Sequence, residues 1–448
     1  MDAIRALLAL FQDAVDDVES LKDYFYRSNK TLIEYRLKYE REYLPGKKIA
    51  DEIDRLFEIS SAKDRNSKIP DVYSVNVTEK IKVGDVCEIA LFEKDEQNSV
   101  IFSLKENVPK SPCFDPRIAK QKFYHLQKYE FILIESILSH IVVSFENFLS
   151  NVVKVLIREN PPRYFEDRKV LLSEVFSDRF DKVIAEQIDL EVTKMMYDSL
   201  STLKNISDKE SISIDNYKNL GEAFKEIYYR RNAYVHTKGR VNKDYFDKVN
   251  KKPQGKIKIG DSFVSDEVYL KNAIVILGEM IFAVTFELLK KYNAKSKVIW
   301  SLGNYYFEKL KEGEYKLSKF AYGILSQYSV LPFAERLMFK LNYINAAKQL
   351  GEKNLVEHEL KSLDVSATET KFKIAKACLS EKFDEVFEML KEIYPNYFDA
   401  LAIKEWPIFI DFRKTHFYDD FQAMHSNDFQ KQQIEEINDS IDDLVNAE

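Results

Sequence analysis

An arginine, an amide and an imidazole fall close together near the middle of this 448-residue chain. Arg231 and Asn232 are adjacent, and His236 follows four residues after Asn232. On a helix, residues four apart lie on one face, one turn from each other. A guanidinium can hold a phosphate through two hydrogen bonds, an imidazole moves protons near neutral pH, and an amide orients its neighbours. Together the three groups suit chemistry on a phosphodiester.

The helix that carries these residues is predicted to run from Leu220 to His236, with Gly239 as its stop. The helix dipole favours a charged histidine in a last turn, so His236 can serve as an acid at neutral pH. A simpler alternative is that Arg231 and His236 only bind the free carbonyl groups of that last turn. The residues alone leave both interpretations open.

This helix belongs to a region, residues 115–292, that is predicted to form an antiparallel helical bundle. A long apolar helix is expected from about Tyr129 to Arg158, because apolar residues recur there at helical spacing. A final helix, capped by Asp266, is expected to run to Lys291. These helices are the elements that must position Arg231 and His236.

The run Arg231-Asn232-x-x-x-His236 resembles the Arg-Asn-x-x-x-His motif of the HEPN superfamily, the higher-eukaryote and prokaryote nucleotide-binding helical domains. The stretch from Lys238 to Asn242 and the apolar helix around Glu146 are also similar to those of family members. The resemblance implies metal-independent cleavage of RNA by attack of the 2′-hydroxyl. It implies that His236 moves a proton, that Arg231 stabilises the charged transition state and that Asn232 positions the histidine or the phosphate. It also implies a homodimer with a composite cleft.

Three further residues are candidates for supporting roles. Arg230 is interpreted as a solvated or phosphate-steering neighbour rather than a second catalytic group. Glu146 is either a partner of Arg231 inside the bundle or an exposed acid. Tyr234, like the nearby Tyr228 and Tyr229, is either a platform for unpaired bases or a core residue.

The amino-acid composition excludes some classes of protein. The net charge of −7 argues against coating of nucleic acid over the whole surface, although a small basic patch on an acidic body is compatible with it. Cys87, Cys113 and Cys378 are far apart and odd in number, so we expect neither a disulfide framework nor a metal site, and no cofactor. No signal peptide and no membrane-spanning segment are recognisable, which predicts a cytoplasmic protein.

The flanks of the bundle are predicted to differ from it. Residues 1–110 should form two or three amphipathic helices, broken at Pro45-Gly46, followed by a small strand-rich insert. Residues 293–426 resemble a divergent array of tetratricopeptide-like helical hairpins, which implies a surface for a regulatory or trigger protein, while plain structural packing competes as an explanation. Residues 427–448 form an acidic tail.

The fold class expected is therefore mainly α, with a helical bundle, a small β-containing insert and a C-terminal hairpin array. The function expected is a HEPN-type endoribonuclease, acting as a toxin or an anti-phage defence effector whose flanking regions regulate it. The alternative is a non-catalytic adaptor that dimerises through the bundle and binds a partner protein through its C-terminal hairpins.

Overall fold

The computed structural model describes residues 3–61, 72–76, 86–92, 101–104, 115–165, 180–196, 199–249, 257–396, 398–426 and 428–429. This part of the chain is mainly α-helical, as its composition predicts. The helices are α1 (Ala3–Ser61), α2 (Pro116–Glu159), α3 (Pro161–Tyr164), α4 (Phe180–Met195), α5 (Ser199–Glu210), α6 (Lys218–Thr237), α7 (Lys243–Lys248), α8 (Glu267–Lys291), α9 (Ser296–Lys311), α10 (Tyr315–Leu325), α11 (Phe333–Gln349), α12 (Lys353–Ser362), α13 (Thr370–Leu379), α14 (Phe383–Ile393), α15 (Ala400–Glu405) and α16 (His416–Met424).

Three short strands follow α1. They are β1 (Val72–Asn76), β2 (Val86–Phe92) and β3 (Ile101–Leu104), and they form an antiparallel sheet in the order β1-β2-β3. Val75 pairs with Cys87 in one ladder, and Leu91 pairs with Phe102 in the other. Gln97-Asn98 is the turn that the sequence predicts between the last two of these strands, and it lies outside the described residues.

The chain forms two compact units. The first contains Met1–Val15, Phe145–Phe224 and Val275–Glu448, and the second contains Asp16–Ser144 and Lys225–Ile274. The long helices α1, α2, α6 and α8 each contribute residues to both units, and so does the stretch 115–292 that the sequence groups as one bundle. The residues with candidate chemistry on α6, from Arg230 to His236, belong to the second unit.

The structure corrects the prediction for the N-terminal helices. We expected Pro45-Gly46 to interrupt the segment, but α1 is one continuous helix through both residues. A proline inside a helix removes one backbone hydrogen bond, which by itself favours a break. Gly46, Ile49 and Ala50 are buried directly after it, and this packing holds the helix on its course. Tertiary burial therefore outweighs the local preference.

The start of α2 also differs from the expectation. The helix begins at Pro116, well before the predicted Tyr129. Asp115 caps it, because its carboxylate accepts from the amide of Arg117 at 2.8 Å, and proline is favoured at the first helical position. These interactions lower the pKa of Asp115 despite the opposing effect of burial.

Two helices in the described part of the chain are long and apolar enough to cross a membrane by length and composition, namely α2 and α8. In the folded protein, 78% of the apolar 18-residue stretch of α8 is buried. The corresponding stretch of α2 is 44% buried. Burial of this kind is typical of core helices, which pass the same test of length and hydropathy. The Asp266 cap predicted for α8 is confirmed, since its carboxylate accepts from the amide of Tyr269 at 2.8 Å.

In the first unit, α9 to α14 form three consecutive helical hairpins. Each hairpin turn contains one residue with positive φ: Gly313, Gly351 or Glu381. The same backbone hydrogen bond closes each turn: Glu314 N to Lys309 O at 2.9 Å, Glu352 N to Ala347 O at 3.0 Å, and Lys382 N to Ala377 O at 3.0 Å. The three turns are thus geometrically equivalent, although their spacing along the chain is uneven.

The segment after the hairpins folds back onto them. Phe398, Trp406, Ile408 and Phe409 are buried in one apolar cluster with the core side chains of α11 and α13. Trp406 Nε1 also donates to the amide oxygen of Asn342 at 3.3 Å. The apolar run from Trp406 to Phe409 predicts a cover that closes the hairpin array, and the structure places Trp406, Ile408 and Phe409 in that role.

Candidate functional site

The site is built on the last turns of α6. The helix ends at Thr237, one residue past the predicted end, because Lys238 and Gly239 adopt φ values of 53° and 70°. The amide of Gly239 donates to the carbonyl of Ala233 at 3.1 Å, which is the closing hydrogen bond of a Schellman-type end. The predicted role of Gly239 as the helix stop is confirmed.

A short backbone ladder fixes the chain just beyond this end. Val241 N donates to Asp261 O and Phe263 N donates to Gly239 O, at 2.8 and 2.9 Å. Asn242 then caps α7, because its side-chain oxygen accepts from the amide of Tyr245 at 2.8 Å. The exit from α6 is therefore held by two paired backbone segments, and the last turn of the helix has a defined position.

His236 is exposed on this last turn, whereas Ala233 and Tyr234 are buried below it. No side chain or backbone group in the described part of the chain hydrogen-bonds to its imidazole. Both ring nitrogens of His236 are accordingly open to a ligand from solvent. An imidazole in this position can donate a proton to a bound molecule or accept one from it.

Arg231 is half-buried, and its guanidinium is held on one side. Nη1 donates to the side-chain oxygen of Asn232 at 3.1 Å, and the guanidinium carbon lies 5.7 Å from the centre of the Tyr228 ring. Its Nε is buried and has no hydrogen-bond partner within the described chain. A buried donor without a partner is unfavourable, and a ligand from solvent does not reach Nε while it is buried.

Asn232 contacts Arg231 rather than His236. The hydrogen bond to Nη1 shows that Asn232 orients the guanidinium. The role that the resemblance implies for Asn232, positioning the histidine or the phosphate, stays a prediction. Because both side chains leave adjacent positions on the helix, this contact needs no third element. It fixes one edge of the guanidinium and leaves Nη2 for a ligand.

The structure contradicts the interpretation of Arg230 as a solvated neighbour. Arg230 is only 3% exposed. Its Nε donates to Glu226 Oε1 at 2.7 Å, and its Nη1 donates to the carbonyl of Val264 at 2.8 Å and to Ser265 Oγ at 3.0 Å. The guanidinium also lies over the Tyr269 ring. Arg230 therefore ties α6 to the segment before α8 and has no free edge for a phosphate.

Glu226 is the centre of this buried cluster. Besides Arg230, it accepts from the hydroxyl of Tyr245 and from that of Tyr269, each at 2.8 Å. Burial and the neighbouring carboxylate raise the pKa of both tyrosines, so both hydroxyls stay protonated as donors. For Arg230, burial lowers the pKa, but Tyr269 and Glu226 outweigh it and the net shift is upward. Sequence reasoning missed Glu226, although its spacing of four from Arg230 is a recognisable helical ion pair.

Tyr234 belongs to the core rather than to a binding surface. It is 4% exposed, and its ring lies between Phe131, at 5.3 Å, and Phe263, at 6.2 Å. An unpaired base cannot stack on a ring that is enclosed in this way. Tyr228 and Tyr229 are half-buried and pack edge to face at 5.4 Å.

Glu146 lies on the part of α2 that belongs to the first unit, and it is half-buried there. Arg231 belongs to the second unit. Whether the two side chains form the pair considered in the sequence analysis stays a prediction.

Within the described residues, no three His, Cys, Asp or Glu side chains are grouped so that they could hold a metal ion. Compared with protein-family models, with curated proteins and with solved structures, the chain matches none. The side chains of Arg231, Asn232 and His236 are the groups of this site with candidate chemistry.

Proposed function

We propose that this protein is a metal-independent endoribonuclease of the HEPN type. The observation that carries the proposal is the exposed His236 on the same helix end as Arg231, whose guanidinium is oriented by Asn232. Phosphodiester cleavage without a metal needs a group that transfers a proton and a group that stabilises the charge on the phosphate, and an imidazole and a guanidinium can supply these two functions. The resemblance of the motif to HEPN nucleases points the same way.

In the proposed reaction, the 2′-oxygen of a ribose forms a bond to the adjacent phosphorus, and the bond from phosphorus to the 5′-oxygen breaks. His236 in its charged form donates a proton to the leaving 5′-oxygen, while the 2′-hydroxyl proton passes to water. Arg231 donates to the non-bridging oxygens, whose charge increases in the transition state. The products are a 2′,3′-cyclic phosphate and a free 5′-hydroxyl.

The biological role we propose is that of a toxin or an anti-phage defence effector in the cytoplasm, because unregulated cleavage of RNA harms the cell that makes it. The protein acts as a homodimer in this proposal, with two α6 ends lining one cleft. A regulatory or trigger protein binds the hairpins α9 to α14, on the side that the segment from Phe398 to Phe412 leaves uncovered.

The decisive experiment incubates the full-length protein with single-stranded RNA in EDTA and identifies the product ends. Cleavage with cyclic phosphate ends, lost in His236→Ala, supports the proposal. Deoxyribose oligonucleotides of the same sequence should stay intact because they lack the 2′-hydroxyl. If RNA stays intact at all protein concentrations at which the chain is dimeric, the ribonuclease proposal fails.

The second candidate function is a non-catalytic adaptor, and the three equivalent hairpin turns favour it, since stacked helical hairpins commonly bind proteins. The two candidates differ in their sensitivity to His236→Ala. An adaptor retains its activity in cells when His236 is replaced, whereas a nuclease does not.

A further inference from the structure

One stretch of α1 in the second unit is exposed on nearly all sides. From residue 30 to residue 38, eight of the nine residues are exposed. Ile33 and Leu37 in this stretch are 41% and 55% accessible, and Tyr26, just before it, is 44% accessible. A helix in a folded protein is stabilised mainly by the burial of its apolar face. Apolar side chains on so bare a helix therefore indicate a partner that covers them.

The exposed apolar residues belong to one side of α1. Six residues follow one another at intervals of four, three, four, three and four positions: Tyr26, Lys30, Ile33, Leu37, Glu40 and Leu44. This alternation of threes and fours is the spacing of the core positions in a two-helix coiled coil. Four of the six residues are apolar, one is a cation and one is an anion. We call these six residues the α1 stripe.

The α1 stripe is separate from the side of α1 that contacts α2. Arg36 pairs with Glu130 of α2, and the ammonium group of Lys122 of α2 lies over the rings of Tyr39 and Tyr43, at 5.7 and 6.0 Å. At 3.6 residues per turn, positions 36, 39 and 43 lie roughly a quarter turn round the helix from the stripe. The neighbouring helix therefore leaves the stripe open to a partner.

The α1 stripe is complementary to itself when two copies run antiparallel. A two-fold axis beside position 35 of α1 gives three kinds of layer, each of which occurs twice: Tyr26 with Leu44, Lys30 with Glu40, and Ile33 with Leu37. Every apolar residue of the stripe then meets an apolar residue, and each cation meets an anion. A second copy of this chain thus satisfies all six positions at once.

Lys30 and Glu40 determine the direction of the pairing. The two residues are ten apart on one helix, about 15 Å along its axis, so they do not meet within one chain. Neither forms an ion pair within the described part of the chain. A parallel pair of stripes in register would bring Lys30 against Lys30 and Glu40 against Glu40, and like charges in contact are unfavourable. The antiparallel pair forms two ion pairs instead.

The surroundings of the α1 stripe favour no partner of a single charge sign. Exposed residues of both signs flank its open side, among them Asp23, Arg27, Glu34 and Arg41. A polyanion such as RNA would meet the acids of this flank, and the aliphatic side chains of the stripe can neither stack with bases nor hold phosphates.

We infer that the α1 stripe is an interface between two copies of this chain, paired as antiparallel helices. The contact extends over about 27 Å of helix, from Tyr26 to Leu44. Its central layers bury Ile33 and Leu37, which a single chain leaves exposed. The inference goes beyond the proposed function, since it needs neither RNA nor the residues of α6.

The test measures the dimer Kd of the full-length protein without RNA, by sedimentation equilibrium over a range of concentrations. The double variant Ile33→Asp/Leu37→Asp should dimerise at least about tenfold more weakly, because it places carboxylates in the central layers. Tyr35→Asp is the matched control: Tyr35 is 46% accessible and lies on the opposite side of α1, so its Kd should be unchanged. Circular dichroism checks that each variant keeps its helical content.

A charge exchange tests the register of the two helices. Lys30→Glu alone, or Glu40→Lys alone, should weaken the dimer about tenfold, because either change turns two ion pairs into two repulsive contacts. The combined variant Lys30→Glu/Glu40→Lys should restore the wild-type Kd. Since the two residues do not meet within one chain, this recovery is expected only if they meet across an antiparallel pair.

A wild-type chain that stays monomeric at every concentration overturns the inference and leaves the stripe to another occupant. A dimer that Ile33→Asp/Leu37→Asp does not weaken overturns it as well, and leaves the α6 ends as the interface. Failure of the exchange variant to recover would reject the antiparallel register. RNA cleavage enters none of these measurements, so the proposed ribonuclease activity stands or falls separately.

Discussion

Arg231 donates from Nη1 to the side-chain oxygen of Asn232, its neighbour in the sequence, at 3.1 Å. A flexible arginine loses conformational freedom when it binds a phosphate, and this contact has already removed part of that freedom. Asn232 therefore acts on the candidate chemistry through the orientation of Arg231. The adjacent Arg230 is buried, and it donates from Nε to Glu226 and from Nη1 to Val264 and Ser265.

The two neighbouring arginines should respond oppositely to substitution. Arg230→Ala leaves Glu226 buried without its cationic partner, and we expect a loss of about 3–5 kcal/mol in the free energy of unfolding. Arg231→Ala should cost less than about 1 kcal/mol in stability but abolish RNA cleavage. Urea unfolding monitored by circular dichroism, together with a cleavage assay, separates the two effects.

Arg231→Lys separates the charge of Arg231 from its hydrogen-bonding geometry at the candidate site. It keeps the positive charge but cannot form two parallel hydrogen bonds to a phosphate, so cleavage should remain severely impaired. Full activity of the lysine variant would mean that Arg231 serves only as a charge. A stable Arg230→Ala protein would mean that the buried cluster is solvated in solution.

His236→Ala should abolish cleavage and leave the protein's melting temperature nearly unchanged, since the side chain is exposed. The exposed His140, on α2, is the matched control, because its ring nitrogen contacts only the carbonyl of Ser136 at 2.8 Å. His140→Ala should cleave RNA at the normal rate. Normal cleavage by His236→Ala would reject the assignment.

Stability should depend on pH through Glu279 on α8. Burial raises the pKa of this carboxyl from its ordinary value of 4.5 to about 7, against the weaker opposing effects of Lys319 and Lys316. The folded state therefore favours the protonated form. This favourable contribution is present below pH 4.5 and is lost as the pH rises through 7.

Glu279→Gln should for this reason stabilise the protein above pH 7, by up to about 3 kcal/mol, and change little near pH 4. Glu357→Gln, at an exposed position on α12, is the control and should be neutral at both values. Denaturant unfolding at pH 4 and pH 8 measures both variants. An equal effect of Glu279→Gln at the two pH values would contradict the assigned pKa.

The local elements of the site could be predicted from the sequence. The end of α6 at Gly239 and the cap of α8 at Asp266 each depend on residues within one turn, and the structure confirms both. The burial of Arg230 could not be predicted, because its partners Val264 and Ser265 lie 34 and 35 residues away along the chain. The continuity of α1 through Pro45 depends on non-local packing in the same way.

The hairpin turns offer a test of backbone strain. Glu381 adopts φ of 59° where the equivalent residues are Gly313 and Gly351. Because a side chain in this conformation meets its own backbone, Glu381→Gly should stabilise the protein by about 1 kcal/mol. Glu381→Gln is the control, since it removes only the exposed ion pair with Lys348, at 3.1 Å, which contributes little.

Gly351→Ala should lower the free energy of unfolding by about 1 kcal/mol. The positive φ of the backbone is the only cause, because an added Cβ there meets no atom within 4 Å. Thermal or denaturant unfolding measures all three variants. If the turns are equivalent, Glu381→Gly must stabilise the protein and Gly351→Ala must destabilise it. A destabilising Glu381→Gly would show that the turn is held by the side chain instead.

The boundary predicted at residue 293 can be tested by ending the chain after Tyr292. In the first unit, Phe282 on α8 packs against Tyr306, with ring centres 5.1 Å apart, and Phe286 packs against Tyr328 at 5.3 Å. In the truncated chain, the rings of Phe282 and Phe286 and the buried part of α8 around them would be exposed to solvent. We therefore expect the fragment 1–292 to aggregate, or to bind a hydrophobic dye and unfold without a cooperative transition.

The full-length chain, purified in parallel, is the control. A soluble fragment with a sharp thermal transition would show instead that residues 115–292 fold as an independent bundle, and its RNA cleavage could then be compared directly with that of the whole chain.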